Sequence, residues 1–329
     1  MQNSRARGKR VRLGPIAKVK LGRSENGLRM YASRSPLSPK DRIQWKGYLY
    51  VLPALVVFLA FIGIPLLQTA WYSLWNWDGL SSATWAGFSN YKRVVTKPDL
   101  AGAFSHMGIL VIFFAVIPVI LALALTVVMS RANRMPGASI FRVLLFLPQV
   151  VPSVVIAVAW MSIYAPSGML NRVISLFAKD DVATAWLGGV FTALPAVGMI
   201  GTWLGIGLCI VLFVSGVASI PIELYEAARL DGAGIFREFF TVTLPGLRGH
   251  ISIALILTTT TALKSFDIIY VTTRGGPGTG TTVPAWMVYN LAFGTGQIGT
   301  ASAMAIILIA LILVVTLIIS RIQPQEAAE

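Results

Sequence analysis

The stretch Ser219–Gly249, SIPIELYEAARLDGAGIFREFFTVTLPGLRG, decides how this chain is read. Pro221 suits the first turn of a helix, where its missing N–H costs nothing. Glu223 and Glu226 then lie three apart near the positive helix end, where carboxylates are favoured. Leu224, Ala227, Ala228 and Leu230 continue the helical pattern until Asp231-Gly232 breaks it, glycine accepting backbone angles that other residues avoid. A second short helix is expected through Phe236, Phe239 and Phe240, with Pro245 closing the stretch. The segment therefore reads as two short helices with a bend, amphipathic and long, set between two apolar runs.

Working outward, those runs are part of a set of six. A spanning helix needs about 20 mostly apolar residues, and six segments qualify: Tyr48–Tyr72, Gly108–Met129, Phe141–Tyr164, Leu194–Val217, Ile251–Thr272 and Ala301–Ser320. Only 12% of the 329 residues are charged and 56% are hydrophobic, against about 25% charged in soluble domains. The expected fold is all-α and polytopic in a membrane. Prolines recur in the spans (Pro53, Pro65, Pro118, Pro148, Pro152), as packed transporter helices tolerate. Gly201–Gly205 and Ala301–Ala305 are small-residue pairs that let helices approach closely, in a static or a moving interface.

Charge sets the expected orientation. Residues 1–47 hold thirteen Lys and Arg against Glu25 and Asp41, within a net charge of +14. This basic tail reads as a cytoplasmic segment drawn to anionic lipid, not as a nucleic-acid arm, since it has few aromatics and no binding module around it. A cleaved signal peptide is not expected either. Arg131, Arg134, Arg142, Arg229, Arg237, Arg248 and Arg321 fall on the same side as the tail. The opposite side holds Lys92, Arg93, Lys97, Arg172, Lys179 and Arg274, diluted by Asp78, Asp99, Asp180 and Asp181. The positive-inside rule then puts both termini in the cytoplasm. The expected organisation is a tail over 1–47, a permease domain over 48–322 with the loop 219–249 facing the cytoplasm, and a short C-terminal tail over 323–329.

Several functions are disfavoured. One cysteine, Cys209, and two separated histidines, His106 and His250, make no metal set. No G-x-x-x-x-G-K-[ST] loop occurs, so the chain lacks that route to ATP hydrolysis. No H-E-x-x-H or nucleophile–base pattern marks an enzyme. A secondary transporter would place carboxylates deep in its spans, and only Asp267 is a candidate.

Candidate solute contacts cluster in the fourth and fifth spans, because polar residues in a membrane are costly and mark pathways. Thr258, Thr261 and Ser265 occupy i, i+3 and i+7, one helical face. Lys264 and Asp267 are three apart and able to pair. Hydroxyls and an ion pair suit a polyhydroxylated solute; equally, Thr and Ser bond back to their own helix, and the ion pair is also explained as structural. Trp203 with Gly205 offers an indole face and close approach, or ordinary interhelical packing.

Glu226-Ala227-Ala228-Arg229-Leu230-Asp231-Gly232-Ala233 followed by Leu244-Pro245 resembles the E-A-A-x-x-x-G signature of permease subunits in bacterial binding-protein-dependent ABC importers. Gly87-Phe88-Ser89-Asn90-Tyr91, Phe141-Arg142 through Leu147-Pro148, and Ser265-Phe266-Asp267 with Thr273, Gly275-Gly276-Pro277 and Thr281 are similar to elements of the carbohydrate-uptake branch, as are Phe293 and Gly299-x-Ala301-x-Ala303. Within that branch the likeness is to the maltose and glycerol-phosphate permease subunits. Trp203-Leu204-Gly205 is similar to a W-L-G stretch that helps line the sugar site of the maltose-type subunit, but Thr258, Thr261, Lys264 and Ser265 stand where that subunit has asparagines, so maltose itself is not implied.

The resemblance implies a type I importer transmembrane domain that carries a sugar, or another solute such as glycerol-phosphate or a polyamine. It implies Glu226, Ala227, Ala228, Asp231, Gly232 and Ala233 as the element seated in an ATPase subunit. ATP and Mg2+ would be held by that partner, with no cofactor in this chain. The implied partners are a second homologous permease, two ATPase copies and an extracytoplasmic binding protein, at a bacterial plasma or inner membrane.

Overall fold

The computed structural model describes residues 45–132, 138–178 and 181–322, so most of the basic tail, the C-terminal tail, Arg134, Lys179 and Asp180 lie outside the described residues. It divides into two compact units, one ending at Ile64 and one beginning at Pro65. The first unit is helical from Trp45, with a widened π turn at Leu59–Gly63. The second holds the remaining spans, Leu100–Val127, Ala193–Ser219, Arg248–Thr272 and Ile298–Arg321, and the first span as a whole runs Leu49–Tyr72.

The third span differs from expectation. In place of one helix over Phe141–Tyr164, two helices, Val143–Val150 and Ser153–Ile163, meet at 108°. Pro152 is the cause: it has no N–H to donate, takes an extended ψ of 136°, and disfavours helical geometry at Val151 before it. The fifth span is interrupted more gently. Its helix Arg248–Leu263 stops, and Asp267–Thr272 resumes after Lys264, Ser265 and Phe266.

Other prolines are absorbed without a break. Ile64, Ile117 and Leu244 each donate their amide to a carbonyl five residues back, Leu59, Ile112 and Phe239, and each stands directly before a proline. Widening the turn accommodates a ring that would strike the carbonyl one α-turn earlier. At Pro118 the leftover acceptor is identifiable. Ile117 has given its N–H to Ile112 and Pro118 has none, so the Phe113 carbonyl has no helical donor. Thr202 of the fourth span supplies one, its Oγ1 donating to Phe113 O at 2.6 Å. A backbone group freed in an apolar setting is satisfied from the next helix, as the membrane interior requires.

The core of the second unit lies where the second, third, fourth and fifth spans meet, around Leu110, Phe114, Ile156, Val197, Ile200 and Ile269. A Cβ on Gly201 would run into the Phe114 ring, and one on Gly205 would come within 2.9 Å of Pro118. This small-residue pair is thus a packing seam between the fourth and second spans.

Two motif regions brace the end of the second unit remote from Ser219–Gly249. Asn90, fully buried, donates to Ser73 O and Trp75 O at 2.9 and 2.8 Å and accepts from Thr300 Oγ1 at 3.3 Å. It ties the connection before the second span to the start of the sixth. A two-stranded pairing, Trp75 with Trp85 and Asn76 with Thr84, sits beside it. After the fifth span, Thr281 Oγ1 donates to Gly276 O at 2.7 Å and lies 2.7 Å from Thr273 Oγ1, closing the Gly-Gly-Pro loop on itself.

Candidate solute cavity and coupling hairpin

The hairpin follows its sequence closely. Pro221 caps the helix Ile222–Leu230, Asp231 ends it, and Gly232 takes φ +75°. Ala233 N donates back to Ala228 O at 2.9 Å, closing the helix end six residues to one, the bond pattern of a left-handed glycine stop. The second helix, Ile235–Glu238, runs into the widened turn Phe239–Thr243 before Pro245. Arg229 then bridges the bend: Nε to Glu238 Oε2 at 3.1 Å and a terminal nitrogen to Oε1 at 3.3 Å. This two-pronged pair fixes the angle between the helices, as planar guanidinium–carboxylate contacts do. It was not anticipated from the sequence, because its partners are nine residues apart across a turn.

Glu226, Ala227, Asp231 and Gly232 are exposed, while Ala228 and Ala233 are half-buried. Leu230 is 88% and Phe236 79% exposed.

A cavity of about 390 Å³ opens at the two broken spans. Gln149, Val151 and Ser153 stand at the break in the third span; Lys264, Ser265 and Phe266 form the break in the fifth, and Asp267 opens the helix after it. Gly201, Leu204, Gly205 and Leu208 of the fourth span complete one wall. Their spacing, i, i+3, i+4 and i+7, is a single helical face. Trp203 falls off that face. It is 42% exposed and meets Trp160 edge-on at 5.7 Å, the interhelical packing alternative, while Gly205 lines the cavity.

Thr258 and Thr261 both line the cavity, but their hydroxyl protons are committed to Ala254 O and Leu257 O at 2.7 and 2.9 Å. They offer lone pairs inward, not donors. Ser265 is different: its buried Oγ has no hydrogen-bond partner. The expected shared face of Thr258, Thr261 and Ser265 does not exist as one helix, since the helix stops at Leu263.

The expected Lys264–Asp267 pair is also absent. Among the described residues the ion pair within 4.0 Å is Arg229–Glu238, and the i, i+3 rule fails because the helix is interrupted between the two. Asp267 instead accepts a hydrogen bond from Ser153 Oγ at 3.1 Å, linking the two breaks. Gln149 and Ser153 escaped the sequence reading, although Pro148 and Pro152 around them marked an irregular span.

Residues 122–326 match the family described as binding-protein-dependent transport system inner membrane component. The chain belongs to this family. The permease is 34% identical over 278 residues to a probable ABC transporter permease, YurN, of Bacillus subtilis, covering 84% of this chain and 94% of that one. It is 33% identical over 280 residues to the trehalose/maltose transport system permease MalF of Thermococcus litoralis, covering 84% and 92%. It is 33% identical over 271 residues to the diacetylchitobiose uptake permease NgcF of Streptomyces coelicolor, covering 79% and 77%.

The permease also shares its fold with a chain of a bacterial ABC transporter that imports alginate, at TM-score 0.72 and 21% identity, covering 86% of this chain and 96% of that one. It is therefore an all-α, multi-pass membrane transport component of the ABC importer type, and the resemblance read from the hairpin motif holds.

Proposed function

We propose that this permease forms half of the membrane pathway of an ATP-driven sugar importer. The observation that carries the reading is the cavity: polar groups from two broken spans, Gln149, Lys264 and Asp267, face a space of about 390 Å³ beside apolar Leu204 and Phe266. A pyranose presents the same mixture, hydroxyls around its rim and C–H faces that stack on aromatic rings. Relatives named for trehalose/maltose and diacetylchitobiose uptake support the solute class.

The cytoplasmic assignment of both termini and of the hairpin rests on the distribution of Lys and Arg. A second homologous permease completes the pathway, and a binding protein delivers solute from outside. Two ATPase copies hold ATP and Mg2+, and the hairpin, through Glu226, Ala227, Ala228, Asp231, Gly232 and Ala233, seats in one of them. Their closure pushes the hairpin, and the fifth span, beginning at Arg248 directly after it, transmits the push to its own break at Lys264–Phe266. Alternating access then amounts to opening the cavity to one side or the other.

Uptake of labelled mono- and disaccharides by the reconstituted complex in liposomes tests this. At least one saccharide should accumulate only with ATP at the ATPase face. Uptake of glycerol-phosphate or a polyamine and of no saccharide would overturn the sugar assignment, and accumulation without ATP would overturn the importer itself.

A further inference from the structure

A second recess lies at the far end of the bundle from the hairpin, about 290 Å³, and none of the proposed transport steps uses it. It forms where the connection entering the second span meets the Gly-Gly-Pro loop. Lys97, Asp99 and Arg274 stand at its rim, and Trp286, Met287 and Leu291 form its floor.

Neither rim cation lies within 4.0 Å of a carboxylate, Asp99 included, among the described residues. Arg274 is held in place by its backbone. It sits at φ +50°, the left-handed region that a non-glycine residue seldom occupies. Its amide donates to Ile269 O at 2.7 Å, and its guanidinium lies 5.9 Å from the centre of the Tyr270 ring. The loop beneath is closed by the Thr273–Thr281–Gly276 contacts already described. A strained, braced residue that presents an unpaired cation is what a preformed interaction site requires.

We propose that this recess is a docking point for the extracytoplasmic binding protein, receiving an acidic side chain from that protein between Lys97 and Arg274. The proposal rests on the importer reading, which places this end of the bundle outside. The family's own description makes transport dependent on a binding protein. Two cations against one carboxylate leave the rim net positive, so the complementary group is an aspartate or glutamate. Charges at the rim of an interface mainly set encounter rate and salt dependence.

The test is binding-protein-stimulated ATP hydrolysis by the complete reconstituted complex, titrated with the purified binding protein that stimulates the wild type. In Lys97→Glu/Arg274→Glu the half-maximal binding-protein concentration should rise about tenfold or more, with the maximal rate recovered at saturation. Asp99→Asn should lower it a few-fold, and Lys97→Arg/Arg274→Lys should keep it. In the wild type it should rise with NaCl as screening grows, a readout that needs no variant to fold. An unchanged half-maximal concentration in the charge-reversed variant, or a salt-insensitive wild type, overturns the proposal. So does an effect that follows free solute and not binding protein, which would make the recess a solute site. Failure of any binding protein to stimulate the wild type would instead overturn the importer reading.

Discussion

The hairpin over residues 221–247 is made by residues near one another in sequence: Ala228 to Ala233, Arg229 to Glu238, Tyr225 to Thr243 at 3.2 Å. The cavity has no such economy. Its walls come from the second, third, fourth and fifth spans, and its polar groups are exposed because two of those spans are interrupted. The contrast separates two kinds of design: the hairpin is a rigid part whose shape is encoded locally, and the cavity is a seam whose shape depends on how several helices sit. Under the importer proposal the locally encoded hairpin would act as a lever on that seam.

The largest expected effect comes from breaking the lever. Gly232→Pro places a residue confined to negative φ at +75°. Misplacing the bend should cut ATP-driven transport on the order of 100-fold, the equivalent of about 3 kcal/mol, while the protein still inserts in membranes. Glu226→Lys should act in the same direction by reversing an exposed charge on the docking face; normal transport and normal stimulated hydrolysis in this variant would remove the hairpin from the coupling role.

Next in size is the packing seam behind the cavity. Gly201→Ala drives a methyl group into the Phe114 ring, and overpacking of this kind costs about 1–3 kcal/mol. The melting temperature of the purified permease should fall, and Gly205→Ala, whose nearest atom is 2.9 Å away, should lower it less. Equal, negligible effects would mean that the fourth and second spans are not packed this way.

A smaller effect is expected inside the cavity. Gln149→Ala removes an exposed side chain that lines the cavity, so stability should hold and solute affinity should fall about 3- to 10-fold, the worth of one hydrogen bond. A loss of stability with affinity unchanged would make Gln149 structural. The smallest effect lies outside both regions. Amides of Ser81 and Leu80 and the Ser81 hydroxyl hold the Asp78 carboxyl near a pKa of about 2, below its ordinary 3.8. Its contribution is therefore present above pH 3.8 and fades as pH falls toward 2. Asp78→Asn should flatten the acid limb of the stability profile slightly and leave transport alone.

The hairpin is legible because each of its determinants is a local rule: proline at the start, helix-forming alanines within, glycine at positive φ at the end. Five of the six spans were legible from apolar length, and Pro152 explains why the third is broken. The cavity was legible only in part. Gly205, Thr258, Thr261, Lys264, Ser265 and Asp267 do line it, but helical periodicity was carried across Leu263, where the helix ends. That is why a Lys264–Asp267 pair was expected and a Ser153–Asp267 bond is found. Trp203 was placed by resemblance, one residue off the face that periodicity assigns to the cavity. Gln149 and Ser153 carry no spacing rule that would have joined them to the fifth span.

The central claim is that the hairpin moves the cavity walls. Spin labels at Gln149, beside the break in the third span, and at Thr261, in the last turn before the break in the fifth, report it directly in the reconstituted complex, with ATP and without. The account requires the distance between them to change on ATP binding in the wild type and to stay fixed in Gly232→Pro. An identical change in both, or none in either, would contradict it.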